Sequence, residues 1–407
     1  MPPIVVEETL MRRKIVIALA SLLALVIVAG AALVVRASQP VSAPYPEVSA
    51  DRSEAGIARG RVLFEGTCAQ CHRAPGATRV AGAPLAEIPA FLGEFHSRNL
   101  TRHPTAGIGG FEDREIARLL RYGVTRDGHA VVMPTYGFSD EDLAAVLGFL
   151  RSDDPVFEAD ATETPPSRPS LVGRVLVRAG LPDPATRPAR GMRAPPRAPT
   201  AEYGRYLAHD VFDCAGCHTP GYDPDKASGD DLLRGGFELV GADGAAVRSP
   251  NLTAHASGLA AWTSADLGRA LRDGLKPDGT AVRPPMPLFR GLGDDEVEAL
   301  FVYLRSVPAL DGEVPATQPV RTPRPGARAP EQLFVELGCP GCHAPGARYH
   351  AQLEQARGED PEALARWIQH PEALQPGTPM PTYGALLSDA DALALARWVS
   401  EGAARTQ

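Results

Sequence analysis

Six cysteines place the strongest constraint on this 407-residue chain, because they form three copies of one pattern and none is left over. The pattern is Cys-x-x-Cys-His. Its residues are Cys68, Cys71 and His72 in the first copy, Cys214, Cys217 and His218 in the second, and Cys339, Cys342 and His343 in the third. Two thiols at this spacing can each form a thioether to one vinyl group of a haem, and the adjacent imidazole can bind the iron. Disulfides, redox thiol pairs and zinc sites do not require a His after every second Cys. The sequence therefore predicts three covalently attached haem c groups.

Each predicted haem iron needs a second axial ligand, and three of the six methionines are candidates. Met133, Met286 and Met380 each precede a Pro and lie one after each motif. Proline keeps the residue before it extended, and a thioether ligand raises the reduction potential of the iron. Two alternatives remain open: that these methionines only fill gaps in the core, or that a histidine is the ligand instead. The rival histidines are His103, His129, His255, His350 and His370.

The predicted iron ligands are thus His72 with Met133, His218 with Met286, and His343 with Met380. With both axial positions filled, none of the irons has an open position for oxygen, peroxide or substrate. We therefore expect an electron relay with no catalytic residues and no small-molecule substrate of its own. A peroxidase or nitrite reductase would need one methionine displaced from its iron.

The N-terminus predicts the cellular compartment. Residues 15–35 are 21 residues without a charge, which is long enough, at about 1.5 Å per residue, to cross a hydrocarbon core of roughly 30 Å. Arg12, Arg13 and Lys14 precede this run, so residues 1–13 are predicted to be a cytoplasmic tail and residues 14–36 a transmembrane anchor. The alternative is a cleaved signal peptide that begins at Met11. Both interpretations export the rest of the chain, to the periplasmic face of a bacterial inner membrane.

Charge indicates what kind of partner the chain has. The formal net charge is -8, which argues against nucleic acid as a partner because phosphate binding needs a basic face. Residues 201–312 hold 10 basic and 17 acidic residues, and residues 331–407 hold 5 and 10. A redox partner attracted by charge should therefore be basic.

Helical patterns around the motifs predict an all-α fold of three modules. A short helical stretch precedes each Cys-x-x-Cys-His, and a helix with a polar start follows each Met-Pro pair. The modules are predicted at residues 53–152, 200–310 and 330–404, separated by a Pro/Arg-rich linker at 153–199 and a Pro-rich linker at 311–329. The first two modules match each other at a register difference of 151 to 153 residues, which indicates an internal duplication.

These motifs are similar to those of the cytochrome c superfamily, over most of residues 53–404. The overall plan resembles the triple-haem cytochrome c subunits of bacterial membrane-bound alcohol and gluconate dehydrogenases. The resemblance rests on residues 204–207 before the second motif, on Asn99-Leu100-Thr101 and Asn251-Leu252-Thr253, and on residues 107–110. It implies three tandem cytochrome c domains behind an N-terminal transmembrane helix. For Arg121, Arg272, Trp262 and Trp367 it leaves open a contact with haem or a role in packing.

The predicted function is electron transfer in a respiratory chain by a membrane-anchored triple-haem cytochrome c. The resemblance favours a periplasmic dehydrogenase as the electron donor. The third module is also similar to the cytochrome c domain fused to some terminal oxidase subunits. The alternative is therefore a subunit or electron donor of a terminal oxidase or another respiratory complex, such as a quinol-oxidising one.

Overall fold

The structure is a computed structural model, and it describes residues 3–74, 77–85, 88–131, 133, 135–181, 187–221, 229–240, 246–278, 281–283, 285–312, 329–345, 347–375, 378–384 and 386–402. It is mostly helical, as predicted. Most of the predicted second linker, residues 313–328, lies outside the described residues, as do 1–2 and 403–407.

One long helix, α1 (Pro3–Ser38), precedes three groups of shorter helices that we call the first, second and third units. The first unit contains α2 (Glu54–Thr67), α3 (Ala69–His72), α4 (Asp113–Tyr122) and α5 (Asp140–Leu150). A linker helix, α6 (Leu171–Ala179), follows. The second unit contains α7 (Ala201–Tyr206), the π-helical turn Leu207–Val211, α8 (Cys214–His218), α9 (Ser264–Asp273) and α10 (Asp294–Ser306). The third unit contains α11 (Pro330–Glu336), α12 (Pro340–His343), α13 (His350–Gln355), α14 (Pro361–Gln369), α15 (Pro371–Leu374) and α16 (Asp389–Ser400).

The described residues also contain two 3-10 helical turns, Ala90–Leu92 and Pro155–Phe157, and two short antiparallel strand pairs. β1 (Gly93–Glu94) pairs with β2 (Arg168–Pro169), and β3 (Glu238–Val240) pairs with β4 (Ala246–Arg248). The first pair joins the first unit to the linker. Such short strands hold loops in place and form no core of their own.

Helix α1 has the length and composition of a membrane span. Its apolar segment Arg12–Ser38 is 27 residues long, and an 18-residue window within it has a mean hydropathy of 2.8 and contains no buried residue. A signal sequence near the N-terminus meets the same criteria, so this finding alone does not choose between the two interpretations of the sequence.

The chain that follows α1 is bound to the first unit. The Val41 backbone N–H donates to the Gly128 carbonyl at 2.8 Å. The Arg118 guanidinium donates to the Val41 carbonyl and lies 4.8 Å from the centre of the Tyr45 ring. The end of α1 is therefore held against the first unit within a few residues.

The first unit is built on the crossing of α2 and α5. Ser139 begins α5, and its hydroxyl accepts a hydrogen bond from the Asp142 backbone N–H at 3.1 Å. At the crossing, a Cβ on Gly60 would lie 2.0 Å from the Ala145 carbonyl oxygen. The two backbones are thus in direct contact, and only glycine fits at this point.

The second unit repeats this crossing with α7 and α10. A Cβ on Gly204 would lie 1.9 Å from the Ala299 carbonyl oxygen. Gly204 and Ala299 thus correspond to Gly60 and Ala145 in the first unit. The same close approach in both units agrees with the internal duplication that the sequence indicates.

A buried polar network joins the first two units, which also share one continuous apolar core. Arg59, which is 8% exposed, donates to the carboxylates of Asp142 in its own unit and Glu296 in the second. Tyr203 donates to Glu296 at 3.2 Å, and Tyr206 donates to Asp142 at 2.7 Å. Each buried carboxylate therefore has partners from both units. This fixes the orientation of the units, because loss of one partner would leave a buried charge unpaired.

The third unit has its own apolar core, formed mainly by α11, α14 and α16. Leu333 and Leu395 are almost fully buried there, and the Phe334 ring packs 5.3 Å from Trp398. Leu275 of the second unit is part of the same core. The third unit is therefore docked on the second.

The predicted first linker packs along the surface of the first unit. The Asn99 side chain donates to the carbonyls of Asp160 and Thr162 at 2.9 and 3.0 Å. Farther along, the Pro188 carbonyl accepts a hydrogen bond from Arg121, and the Met192 carbonyl accepts one from the Asp140 N–H. These contacts make the linker part of the first unit's surface and not a free spacer.

We predict that Gly60→Ala will lower the free energy of unfolding by about 1–3 kcal/mol, because the added methyl group must push α2 away from α5. The matched control is Gly268→Ala in α9, where the nearest atom to the new Cβ would lie 3.4 Å away. There alanine should stabilise the helix by up to about 1 kcal/mol. Urea unfolding followed by circular dichroism measures both values. Equal effects of the two substitutions would contradict the contact at Gly60.

Candidate haem sites

The three Cys-x-x-Cys-His motifs occupy equivalent places in the three units. Each forms a short helix, α3, α8 or α12, directly after a longer helical segment. In the first unit the Cys68 N–H still donates to the Phe64 carbonyl at 2.8 Å, so the motif continues from the end of α2. In the second, Asp213 precedes the motif with a φ of 50°, and its carboxylate accepts a hydrogen bond from the Gly216 N–H at 3.1 Å.

The imidazole of each motif is held by one hydrogen bond to a backbone carbonyl. Nδ1 of His72 lies 2.7 Å from the Arg98 oxygen, Nδ1 of His218 lies 2.8 Å from the Pro250 oxygen, and Nδ1 of His343 lies 2.8 Å from the Tyr349 oxygen. A carbonyl can only accept, so Nδ1 must carry the proton and Nε2 keeps its lone pair. This is the tautomer that a metal-binding histidine needs.

The imidazoles are also held in their neutral form. Burial lowers the pKa of His72, His218 and His343, while the hydrogen bond to the carbonyl opposes this effect only in part. Each motif therefore presents a neutral imidazole with a free Nε2.

In the first two units, the carbonyl that accepts from the imidazole belongs to the residue directly before an Asn-Leu-Thr segment. Arg98 and Pro250 directly precede Asn99 and Asn251. Oδ1 of Asn99 accepts a hydrogen bond from the Thr101 N–H at 2.8 Å, and Oδ1 of Asn251 accepts one from the Thr253 N–H at the same distance. All four of these side chains are almost fully buried. A fully bonded asparagine thus fixes the loop that orients the imidazole.

In the third unit, His343 forms the same kind of hydrogen bond, although this unit has no Asn-Leu-Thr segment. Its carbonyl comes from Tyr349, six residues after His343. The His343 carbonyl in turn accepts a hydrogen bond from Nδ1 of His350 at 2.9 Å. The carbonyl lies only six residues from its histidine, compared with 26 and 32 residues in the other two units, which explains why the third unit has no Asn-Leu-Thr.

The first cysteine of each motif lies in surroundings that favour an uncharged sulfur. Burial raises the pKa of Cys68, Cys214 and Cys339 to about 12 in each case. A redox-active thiol pair needs a thiolate, which these surroundings disfavour. Within the described residues, no three His, Cys, Asp or Glu side chains are grouped as a metal site. Neutral imidazoles and uncharged sulfurs fit covalently attached haem.

The predicted methionine ligands pack against the apolar cores. Met133 and Met286 pack against the shared core of the first two units, which contains Cys68 and Ala215, and Met380 and Cys339 both pack against the core of the third unit. The Met133 N–H donates to the Tyr136 hydroxyl at 2.9 Å. Each half-buried methionine therefore shares a core with a motif.

The rival histidines lie in different surroundings. Nδ1 of His103 accepts a hydrogen bond from the Ala106 N–H at 3.1 Å, and Nδ1 of His255 accepts one from the Ser257 N–H at 3.2 Å. His350 donates to the His343 carbonyl, His129 is exposed beside Asp127, and His370 is exposed.

The two arginines for which the sequence left a haem contact open have protein partners. Arg121 pairs with Asp140 at 2.8 Å, and Arg272 donates to the Leu292 carbonyl at 2.8 Å. Trp262 and Trp367 are half-buried, and Trp262 packs against the shared core of the first two units. The contacts of the arginines favour the packing interpretation.

The segment after Met286 touches all three units, which the sequence did not indicate. A Cβ on Gly291 would lie 3.0 Å from the Val62 side chain in α2. Arg290, whose side chain is 12% exposed, donates to the Met380 carbonyl at 2.7 Å and to the Thr382 hydroxyl at 3.0 Å. One methionine loop is thus bonded directly to the other.

Together, the helical units and the oriented, neutral imidazoles of their Cys-x-x-Cys-His motifs are typical of a protein that binds haem covalently. The sequence profile of the cytochrome c family matches residues 57–153 and 201–308, just over half of the chain. The chain belongs to the cytochrome c family, which implies covalently bound haem c.

The chain is similar to several curated proteins. It is 28% identical over 277 residues to the gluconate 2-dehydrogenase cytochrome c subunit of Pantoea cypripedii, covering 64% of this chain and 61% of that one. It is 27% identical over 287 residues to the fructose dehydrogenase cytochrome subunit of Gluconobacter japonicus, covering 65% and 55%. It is also 27% identical over 305 residues to a diheme cytochrome c-type protein of Cereibacter sphaeroides, covering 71% and 97%.

These matches confirm the predicted resemblance to cytochrome c subunits of dehydrogenases. They also confirm an electron-transfer protein rather than an enzyme. The chain spans only about three fifths of the length of the first two relatives.

We predict that Asn251→Ala will destabilise the second unit and release the loop that orients His218. The substitution leaves the buried Thr253 N–H without its partner and removes one of the two side-chain hydrogen bonds to the Leu310 carbonyl, which keeps the Thr253 hydroxyl. An unpaired buried group costs about 1–3 kcal/mol. Ser257→Ala is the graded control, because it removes one partner of Asn251 and keeps the bond to Thr253. Urea unfolding should rank Asn251→Ala as clearly the less stable variant. The reverse order would show that Asn251 does not hold this loop.

Proposed function

We propose that this chain is a membrane-anchored triple-haem cytochrome c that accepts electrons from a periplasmic dehydrogenase and passes them into a respiratory chain. The observation that carries the proposal is an arrangement repeated in all three units. In each, a Cys-x-x-Cys-His imidazole donates to a backbone carbonyl, and the candidate methionine packs against the same apolar core as a motif cysteine or its neighbour.

The proposal includes a third cytochrome c domain at residues 330–404, in addition to domains at 53–152 and 200–310. The third unit lies outside the ranges matched by the family profile, and one relative is named as a diheme protein. Two features support the third haem: a complete motif, and the hydrogen bond from His343 to Tyr349 that reproduces the geometry of the other two sites.

In this proposal the chain attaches and orients each haem with a fixed set of residues. Cys68, Cys71, Cys214, Cys217, Cys339 and Cys342 form the thioethers. His72, His218 and His343 bind iron through Nε2, and Met133, Met286 and Met380 bind it through sulfur. The thioether ligand favours the reduced iron and so raises the reduction potential. When bound, each haem supplies an iron that takes up and releases one electron.

The second unit is the proposed centre of the relay. It shares the buried Arg59 network with the first unit and the Arg290 contacts with the third. These contacts hold neighbouring units rigidly, which keeps distances between their redox groups constant during electron transfer. The loop after Met286 takes part in both interfaces, since Gly291 lies against Val62 and Arg290 bonds to Met380.

The names of two relatives support a dehydrogenase as the electron donor. They are cytochrome subunits of a gluconate 2-dehydrogenase and a fructose dehydrogenase. The substrate of the partner enzyme is not part of the proposal.

The proposed anchor is α1, with the haem units on the periplasmic face of a bacterial inner membrane. The length and hydropathy of its apolar segment support a membrane span. The 21-residue uncharged run at 15–35 further supports an uncleaved anchor, because the apolar region of a signal peptide is usually only roughly 7 to 15 residues long.

We predict that Met133→Ala, Met286→Ala and Met380→Ala will each convert one haem to a high-spin or histidine-ligated form. The reduction potential of that haem should fall by on the order of 100 mV, because axial ligands set potentials over hundreds of millivolts. Optical spectroscopy, electron paramagnetic resonance and redox titration of the purified protein measure the change. Met192→Ala in the linker is the matched control and should leave all three haems unaltered. A variant with an unchanged spectrum would remove that methionine from the ligand set.

The electron donor can be identified by purifying the native complex in mild detergent. We expect a flavin or quinoprotein dehydrogenase to co-purify with the haem-stained chain, and the substrate of that enzyme to reduce the haems. Mass spectrometry identifies the companion, and an optical assay follows the reduction. Recovery of a haem-copper oxidase or a quinol-oxidising complex instead would place the chain elsewhere in the respiratory chain.

A further inference from the structure

Exposed apolar side chains outside α1 are concentrated at one place, beside the end of that helix. Among the described residues beyond α1, four of the seven strongly exposed large apolar side chains belong to α6 and the turn at residues 90–92. They are Phe91, Leu171, Val172 and Leu176, with exposures of 68, 59, 54 and 52%. Such a concentration indicates an interaction surface and not scattered surface residues.

The fold holds these side chains rigidly in their exposed positions. Ser170 caps α6 by accepting a hydrogen bond from the Gly173 N–H, and its hydroxyl donates to the Phe91 carbonyl at 2.9 Å. The Ser170 N–H donates to the Leu92 carbonyl at 2.8 Å. A Cβ on Gly173 would lie 2.0 Å from the Leu92 oxygen, so α6 packs directly on the turn. The glycine side of α6 thus faces the protein, and its Leu171, Val172 and Leu176 side faces outward.

The position of α6 along α1 corresponds to the edge of a bilayer. α6 contacts α1, and Val34 and Ala37 are the half-buried positions in the segment Arg12–Ser38. Arg36, the charge that ends the apolar run, lies between these two positions. With the apolar run in the hydrocarbon core, α6 therefore lies at the level of the lipid headgroups.

The charges of α6 suit such a position. Arg174 is exposed and Arg178 is half-buried, four residues apart on one side of the helix, and Arg168 is exposed just before it. An apolar face flanked by arginines is typical of helices that lie in the plane of an anionic membrane surface.

We propose that α6 and Phe91 form a second membrane contact, in which the face made by Phe91, Leu171, Val172 and Leu176 inserts into the outer surface of the bilayer. This inference rests on the proposed anchoring by α1. The contact would stop the first unit from rotating about the anchor and hold it at a fixed height above the lipid.

The test uses three cysteine variants of the full-length holo-protein with similar exposure in the fold: Val26→Cys in α1, Leu176→Cys in α6 and Leu374→Cys in the third unit, at 59, 52 and 56%. Each is placed in lipid nanodiscs of phosphatidylethanolamine and phosphatidylglycerol. Its rate of reaction with a charged, membrane-impermeant maleimide is divided by the rate for the urea-unfolded protein. We expect the Val26→Cys and Leu176→Cys variants to react at least about tenfold more slowly than Leu374→Cys.

The reaction rates distinguish failure of the proposed α6 contact from failure of the proposed anchoring by α1. A fast Leu176→Cys with a protected Val26→Cys would overturn the second contact and leave the anchor in place. A fast reaction at both positions would refute anchoring by α1 itself. Oxidative cross-linking of Leu176→Cys into dimers would show that a second copy of the chain covers this face, and would also overturn the lipid contact. Nanodiscs of neutral lipid alone should weaken the protection of Leu176→Cys if the arginines contribute.

Discussion

The haem sites of this chain depend on one hydrogen bond, from the Nδ1 of a motif histidine to a backbone carbonyl. It decides which ring nitrogen carries the proton and which way Nε2 points. Because the partner is a main-chain atom, the loop that carries it must be held firmly. In the first two units, the buried side chains of Asn99 and Asn251 hold this loop. Asn99 donates to the Asp160 carbonyl, and Asn251 donates to the Leu310 carbonyl. In the third unit, the short loop to Tyr349 needs no such support.

The relative placement of the units depends on a second set of polar contacts. Arg59 places a charge between two buried carboxylates of different units, and Arg290 joins the loops of two predicted ligands. Buried ion pairs contribute little net stability, since removing charges from water costs about as much as their attraction returns. Their effect here is geometric. A relay needs constant separations between its redox groups more than it needs extra stability, and polar contacts that tolerate only one arrangement provide them.

Sequence patterns predicted much of the fold and the candidate site, but not the contacts between units. The three motifs, the Met-Pro loops and helices such as α5 and α16 all have local signatures: cysteine spacing, a following proline, and a serine cap before apolar residues at helical spacing. The repeated Asn-Leu-Thr was visible as a duplication, yet its role was not, because the atom that matters is the carbonyl of Arg98 or Pro250. Arg290 was missed for a related reason. Its partners lie about 90 residues away, and no periodicity in the sequence links them.

The charge distribution gives the three units different surroundings once α1 lies in a bilayer. The first unit carries 12 basic and 12 acidic residues over 51–152, whereas the second and third are clearly acidic. An anionic membrane surface repels acidic units and tolerates a neutral one, so this order favours the first unit next to the lipid and the other two away from it. A basic redox partner would be drawn to the outer units, where the field is negative. In the proposed arrangement, the charges that would keep these units off the membrane would also attract a basic partner to the motifs farthest from it, and added salt should weaken both effects together.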